Sequence, residues 1–115
     1  MVEFVLVLPL FVTLIFVLIQ FGIIFNNYLR VTDTARVAAR AAAVARFNGE
    51  SPCAAAQDVV DQAAGGLVLG NCSTSGLLGD QTVTIRVTHP WSVSLALLPL
   101  SDGGDLTSDA TERLE

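Results

Sequence analysis

The sequence predicts an α+β fold. A very long N-terminal hydrophobic helix, over about residues 1–47, precedes a small head with a short helix and an antiparallel β-hairpin or sheet. Three observations predict it. Phe4 to Phe25 is apolar and carries no charge. Asn26 to Phe47 holds no Pro or Gly and is rich in Ala and Arg, both strong helix formers. Gln81 to Thr88 alternates apolar and polar residues with the period of a half-buried strand.

The apolar run reads FVLVLPLFVTLIFVLIQFGIIF, broken only by Pro9, Thr13, Gln20 and Gly22. As a helix it extends about 33 Å, against a bilayer core of about 30 Å. Such a helix spans a membrane or is buried on all sides by other helices. Pro9 lacks a backbone donor and frees the carbonyl of Val5. Thr13 and Gly22 permit close helix approach, and Gln20 can hydrogen-bond across a helix pair. Together these residues suit contact with protein as well as with lipid. Glu3 stands one residue before the run. A carboxylate entering hydrocarbon unpaired costs a few kcal/mol. Glu3 therefore lies solvated at the headgroup level, or meets a positive partner such as the α-amino group of a neighbouring chain.

The helix continues from Asn26 to Phe47. Val31, Ala35, Ala38, Ala42 and Ala45 form a stripe of small residues, and Arg36 and Arg40 share one face. Asp33 can pair with Arg36 or Arg30. The full helix, about 70 Å, is twice what a bilayer needs. Its second half must pack on the head or on neighbours. This divides the chain into a membrane-spanning or core helix at 1–25, its extension at 26–48, and a head at 49–115.

Asn48, Gly49 and Ser51-Pro52 end the long helix. Ser51 is an N-cap for a short helix over Pro52 to Ala64, with Ala55, Val59, Val60 and Ala63 as its apolar face and Gly65-Gly66 as its stop. Cys53 and Cys72, the two cysteines, read as a disulfide joining that helix to the following loop if the head is extracellular. A head this small gains from such a staple. In the strand, Val83, Ile85 and Val87 face one side and Thr82, Thr84, Arg86 and Thr88 the other. His89-Pro90 ends it. Trp91 to Leu100 reads as a strand or an apolar loop, Ser101 to Asp105 as a turn, and Leu106 to Leu114 as a final antiparallel strand.

Charge is segregated along the chain. Net charge is −5 overall, and there is no lysine. The four arginines Arg30, Arg36, Arg40 and Arg46 follow the apolar run, and nearly all the acids lie after it. An apolar, then basic, then acidic chain suits head-to-tail packing between copies. The acidic balance argues against nucleic acid as a partner. No basic residue precedes the apolar run, so the expectation is a basic leader removed before the sequence shown. With that leader, the head is placed outside.

No enzyme reading is supported. His89 lacks a nucleophile partner and is read as structural. The acids of Asp102 to Asp105 lack calcium-loop spacing. Two Cys and one distant His make no zinc set. No catalytic residue, metal or cofactor is expected.

Val2-Glu3-Phe4, Leu8-Pro9-Leu10, Gln20-Phe21-Gly22, Tyr28 and the spacing Ala35-Arg36 to Ala39-Arg40 resemble the TadE-like proteins. These are pilin-like proteins of the tight-adherence (Tad) branch of type IV pili. Thr82 to Pro90 and Ala110 to Glu115 resemble that family's closing strand pair. The resemblance implies synthesis with a short basic leader, cleavage by a prepilin peptidase, and residence in the inner membrane until assembly. It implies a subunit of an extracellular, adhesive helical homopolymer, served by the pilus assembly machinery. A membrane-anchored minor pseudopilin acting in assembly, initiation or tip capping is the alternative. In that setting Met1 and Glu3 are the candidates for N-terminal pairing between subunits. Phe4, Leu8, Pro9, Phe11, Phe16, Phe21 and Gly22 are the candidates for filament-core packing. Arg30, Asp33, Arg36 and Arg40 are the candidates for salt bridges to this head or a neighbour's. Type IV pilins place the glutamate fifth in the mature chain; here it is third.

Overall fold

The computed structural model describes residues 2–63, 65–76, 81–92 and 103–114. It contains α1 (Val2–Phe47), α2 (Pro52–Gln62), β1 (Val68–Ser75), β2 (Gln81–Ser92) and β3 (Gly103–Leu114). The strands form one antiparallel sheet in the order β1-β2-β3. The molecule measures 74 × 22 × 20 Å. A 46-residue helix is about 69 Å long, so α1 accounts for the whole long dimension.

The C-terminal half of α1 is the spine of the head. Its stripe of small residues, Val31, Ala35, Ala38, Ala39, Ala42 and Ala45, is buried. Alanine lets the sheet and α2 approach the helix closely, and the β-branched residues Val83, Ile85 and Val87 of β2 fill the space left. Ala56 and Val60 of α2 complete the core. The inward face of α2 is therefore carried by Ala56 and Val60, with Ala55, Val59 and Ala63 only half-buried.

α1 ends as the Asn48-Gly49 signal requires. Gly49 takes φ +77°. Its N–H donates to the Arg46 carbonyl, and the Glu50 N–H donates to the Ala45 carbonyl. These paired bonds are a Schellman motif, in which glycine avoids the Cβ clash of a left-handed residue. Ser51 stands at the N-cap of α2, and its carbonyl accepts the N–H groups of Ala54 and Ala55. Its hydroxyl makes no capping bond. α2 closes at Gln62, two residues before the expected Ala64.

Three expectations for the sheet are corrected. Cys72 lies in β1 and not in a loop. β2 runs through His89-Pro90 to Ser92, so that dipeptide does not end it. β1 stops at Val68, opposite Thr88. Past that point β2 has one open side, where a proline without an N–H is tolerated. Gly103 to Asp105 belong to β3 and not to a turn. Gly104 pairs with Trp91 across the strands. Residues 93–102, on which the rest of the expected apolar segment and turn falls, lie outside the described residues.

β1 carries a bulge between Leu69 and Asn71. Leu69 faces inward opposite Val87, and Cys72 faces inward opposite Ile85. Strict alternation from Leu69 would turn Asn71 inward and Cys72 outward. The extra residue, Gly70, shifts the phase by one and aims Cys72 at α2. Cys53 and Cys72 are joined there by a disulfide, with their Cα atoms 5.9 Å apart.

Candidate assembly surface

From Phe4 to Phe25 nearly every residue of the long helix is exposed among the described residues. Phe4, Leu8, Phe11, Phe16 and Phe21 are all exposed, Phe4 by 71%. Pro9 and Gly22 are exposed too, and a Cβ placed on Gly22 would meet only open space. Phe21 and Phe25 stack on each other with ring centroids 6.3 Å apart. α1 continues unbroken through Pro9. The Thr13 hydroxyl donates to the Pro9 carbonyl at 2.8 Å, so this polar side chain is satisfied within the helix and presents no free donor to hydrocarbon. Among the described residues, α1 is the helix long and apolar enough to cross a membrane by length and composition.

So large an apolar surface does not remain against water. It continues beyond Phe25. Val37, Ala41 and Val44, spaced along one helix face, point away from the sheet; Val37 and Val44 are about half exposed. With Asn48, Glu50 and Ala55 they line a shallow groove between α1 and the start of α2. Sequence reading found the inner alanine stripe but not this outer one, whose residues differ little from those that were buried.

The basic residues flank these apolar stripes. Arg30, Asp33, Arg36 and Arg40 are exposed. None of them forms an ion pair with another of the four or with any other described residue. Arg36 and Arg40 edge a groove between α1 and the outer strand β3, which also presents Asp109 and Glu112. Asp109 is already engaged: its carboxylate accepts two bonds from Arg86, at 2.7 and 2.8 Å, on the outer face of the sheet. Hydrogen bonding from Arg86 holds the Asp109 carboxyl below the usual carboxylate range. α2 offers the exposed acids Asp58 and Asp61. Glu3 is exposed in the first turn of α1, while Met1 lies outside the described residues.

Among the described residues no group of three or more His, Cys, Asp or Glu side chains is placed to hold a metal ion. The sequence reads His89 as structural, yet it carries an unsatisfied polar atom. Its Nδ1 is buried without a hydrogen-bond partner, in a small cleft shared with Asn27 and Arg30. The signal in the sequence was only a lone histidine before a proline.

A family model described as TadE-like protein matches residues 1–40. That segment holds Glu3, the whole apolar run and the Arg36–Arg40 pair. No curated protein and no solved structure matches the chain. Over its N-terminal 40 residues, the segment that carries the exposed apolar helix, the chain is similar to the TadE-like proteins.

Proposed function

We propose that this chain is a pilin-like structural subunit. In this reading it polymerises through α1 into an extracellular Tad-like type IV pilus that serves surface attachment. The observation that carries the reading is the exposure of nearly every residue from Phe4 to Phe25 on a helix whose other half is fixed to a folded head. Lipid and neighbouring helices are equally apolar partners for that surface, so the same helix can anchor the precursor in the inner membrane and pack the core of a filament.

In the filament Phe4, Leu8, Phe11, Phe16 and Phe21 interlock with copies of themselves, and Pro9 and Gly22 leave room for close approach. Glu3 accepts a bond from a neighbour's N-terminal amine, a pairing that removes the cost of an isolated carboxylate in an apolar core. Arg30, Arg36 and Arg40, which have no acid of their own, meet head acids of adjacent copies such as Asp58 and Asp61, with Asp33 available to a neighbour's arginine. Val37, Ala41 and Val44 extend the contact upward. The heads coat the outside. A prepilin peptidase and the pilus assembly machinery are the partners this route requires.

Electron microscopy of material sheared from producing cells, with mass spectrometry of the fibres, tests the proposal. This chain should dominate thin filaments, and Glu3→Ala should abolish them while leaving the protein in the membrane fraction. A chain found only in membranes, or in traces at filament ends, would make it a membrane-anchored minor pseudopilin of assembly or tip capping.

A further inference from the structure

The cleft beside His89 gathers polar side chains and no acid. It has a volume of about 60 Å³ and is lined by Asn27 and Arg30 of α1, by Gly65 and Leu67 of the α2–β1 connection, and by His89 of β2. None of these lining residues is acidic. Arg30 extends its guanidinium over the connection, where a Cβ on Gly65 would lie 3.7 Å from Nη1. Arg30 has no ion-pair partner among the described residues, and the buried Nδ1 of His89 has no hydrogen-bond partner. A buried polar atom left without a partner costs about 1–3 kcal/mol. A guanidinium, an amide and an imidazole line one small cleft; with the proton of His89 on Nδ1 they offer three donors to one oxyanion, and bonds of the charge-assisted kind are the strong ones.

Position on the helix selects the anion. The apolar run ends at Phe25. Asn27 and Arg30 follow it by about 3 and 7.5 Å along the axis. A bilayer of about 40–45 Å with a core of about 30 Å has a polar layer of about 5–7.5 Å on each side. The cleft therefore falls in the phosphate layer when Phe4–Phe25 spans the core. β2 descends toward that layer: Val83 lies opposite Glu112, which borders the Arg40 groove, whereas His89 borders the Arg30 cleft. Trp91 and the exposed Tyr28 lie at the same end of the head, where amphipathic rings favour a membrane interface.

We infer that the Asn27–Arg30–His89 cleft binds the phosphate group of a lipid headgroup while the subunit is anchored, and so sets the height and tilt of the head on the membrane. The inference rests on the anchored precursor stage of the proposed function. Extraction into a filament then requires this phosphate to be released.

The chain has a single histidine, so ¹⁵N-histidine labelling reports this ring alone. The full chain is reconstituted in phosphatidylglycerol bilayers in phosphate-free buffer. Solid-state ¹⁵N–³¹P recoupling then measures contact between the ring and the lipid phosphorus, and amide exchange over Phe4–Phe25 reports spanning. The expected result is dephasing of the Nδ1 signal that is lost in Arg30→Gln, with the helix amides protected in both proteins. Protected amides without dephasing would overturn the inference and leave the anchored stage standing. Unprotected amides would remove the anchored stage, and the inference with it. A second sample in phosphorus-free maltoside micelles receives inorganic phosphate. Contact there but not in bilayers would assign the cleft to free phosphate and overturn the lipid source.

Discussion

Trp91 of β2 lies directly across Gly104 of β3, so close that a Cβ on Gly104 would sit 2.9 Å from the indole Nε1. The absence of a side chain at 104 lets the ring lie down on the neighbouring strand. Glycine weakens a strand by exposing backbone and adding entropy to the unfolded chain. An aromatic ring laid over it from the paired strand restores the lost packing. Gly104→Ala should push the indole out of place and destabilise the head by about 1–3 kcal/mol, the usual range for overpacking. Thermal unfolding followed by tryptophan fluorescence checks this, since Trp91 is the only tryptophan and its emission should shift red. An unchanged melting temperature and spectrum would mean that the ring relocates freely.

This contact also shows where the sequence could not be read. The helix was legible because one residue type recurs over many turns: apolar residues to Phe25, alanines and arginines to Phe47. The strand Gln81–Thr88 was legible because its alternation is strict. Residues 68–75, with Gly70, Asn71 and three Ser or Thr residues, have the composition of a loop, yet they form β1. Pairing with β2 and the tie to α2 outweigh weak intrinsic preference there. Gly103 and Gly104 read as a turn for the same reason; what keeps them extended is Trp91, a residue more than ten positions away. Cys53 and Cys72 stood out in the sequence, but the bulge that turns Cys72 inward did not. Of the candidate surface, the apolar residues and the basic residues could be named, but not which face of α1 each would occupy once the head had covered its own.

Gly70 gives a test of that bulge. A Cβ there would lie 3.1 Å from Thr88 Cγ2 and 3.6 Å from both Cγ and the carbonyl of Arg86. The Thr88 hydroxyl donates to the Val68 carbonyl, which holds its methyl in place. Gly70→Ala should therefore destabilise, by about 1 kcal/mol, although Gly to Ala replacement without a clash commonly stabilises. In a Thr88→Ser background the methyl is gone, and the same change should become neutral or favourable. A double-mutant cycle by denaturant unfolding reads the difference. Equal effects in both backgrounds would show that Thr88 is not the obstacle.

The Arg86–Asp109 pair sets a pH dependence. Asp109 is held below its ordinary value of 3.8 by hydrogen bonding from Arg86. A group whose folded-state value is depressed adds stability above the unfolded value and loses it as pH falls through the folded one. The pair's contribution should thus be complete above about pH 5 and vanish progressively in stronger acid. Both side chains are about half exposed, so the effect should be small and screened by salt. Melting temperatures of the wild type and Asp109→Asn should differ slightly at neutral pH and low salt and converge as the pH falls through the depressed folded-state value. A gap that persists unchanged in acid would mean that the carboxylate charge contributes nothing.

The Cys53–Cys72 disulfide carries the largest predicted loss. It closes a segment with a sequence separation of 19 residues, linking α2 to β1. Closure of a loop of this size removes about 3 kcal/mol worth of unfolded-chain entropy. The head has few large side chains to compensate, since its core is built largely from alanines on α1 and three β-branched residues of β2. Replacing both cysteines with serine should lower the melting temperature by more than any other substitution argued above. It should also release α2 before the sheet, because β1 remains paired with β2 through seven residues whereas α2 is then held only by packing of its small inward side chains, Ala56 and Val60 among them. Hydrogen exchange resolved by residue distinguishes the two: amides of residues 54–62 should lose protection first. Loss of protection in β1 and α2 together would show that the disulfide holds the strand in register as well as the helix in place.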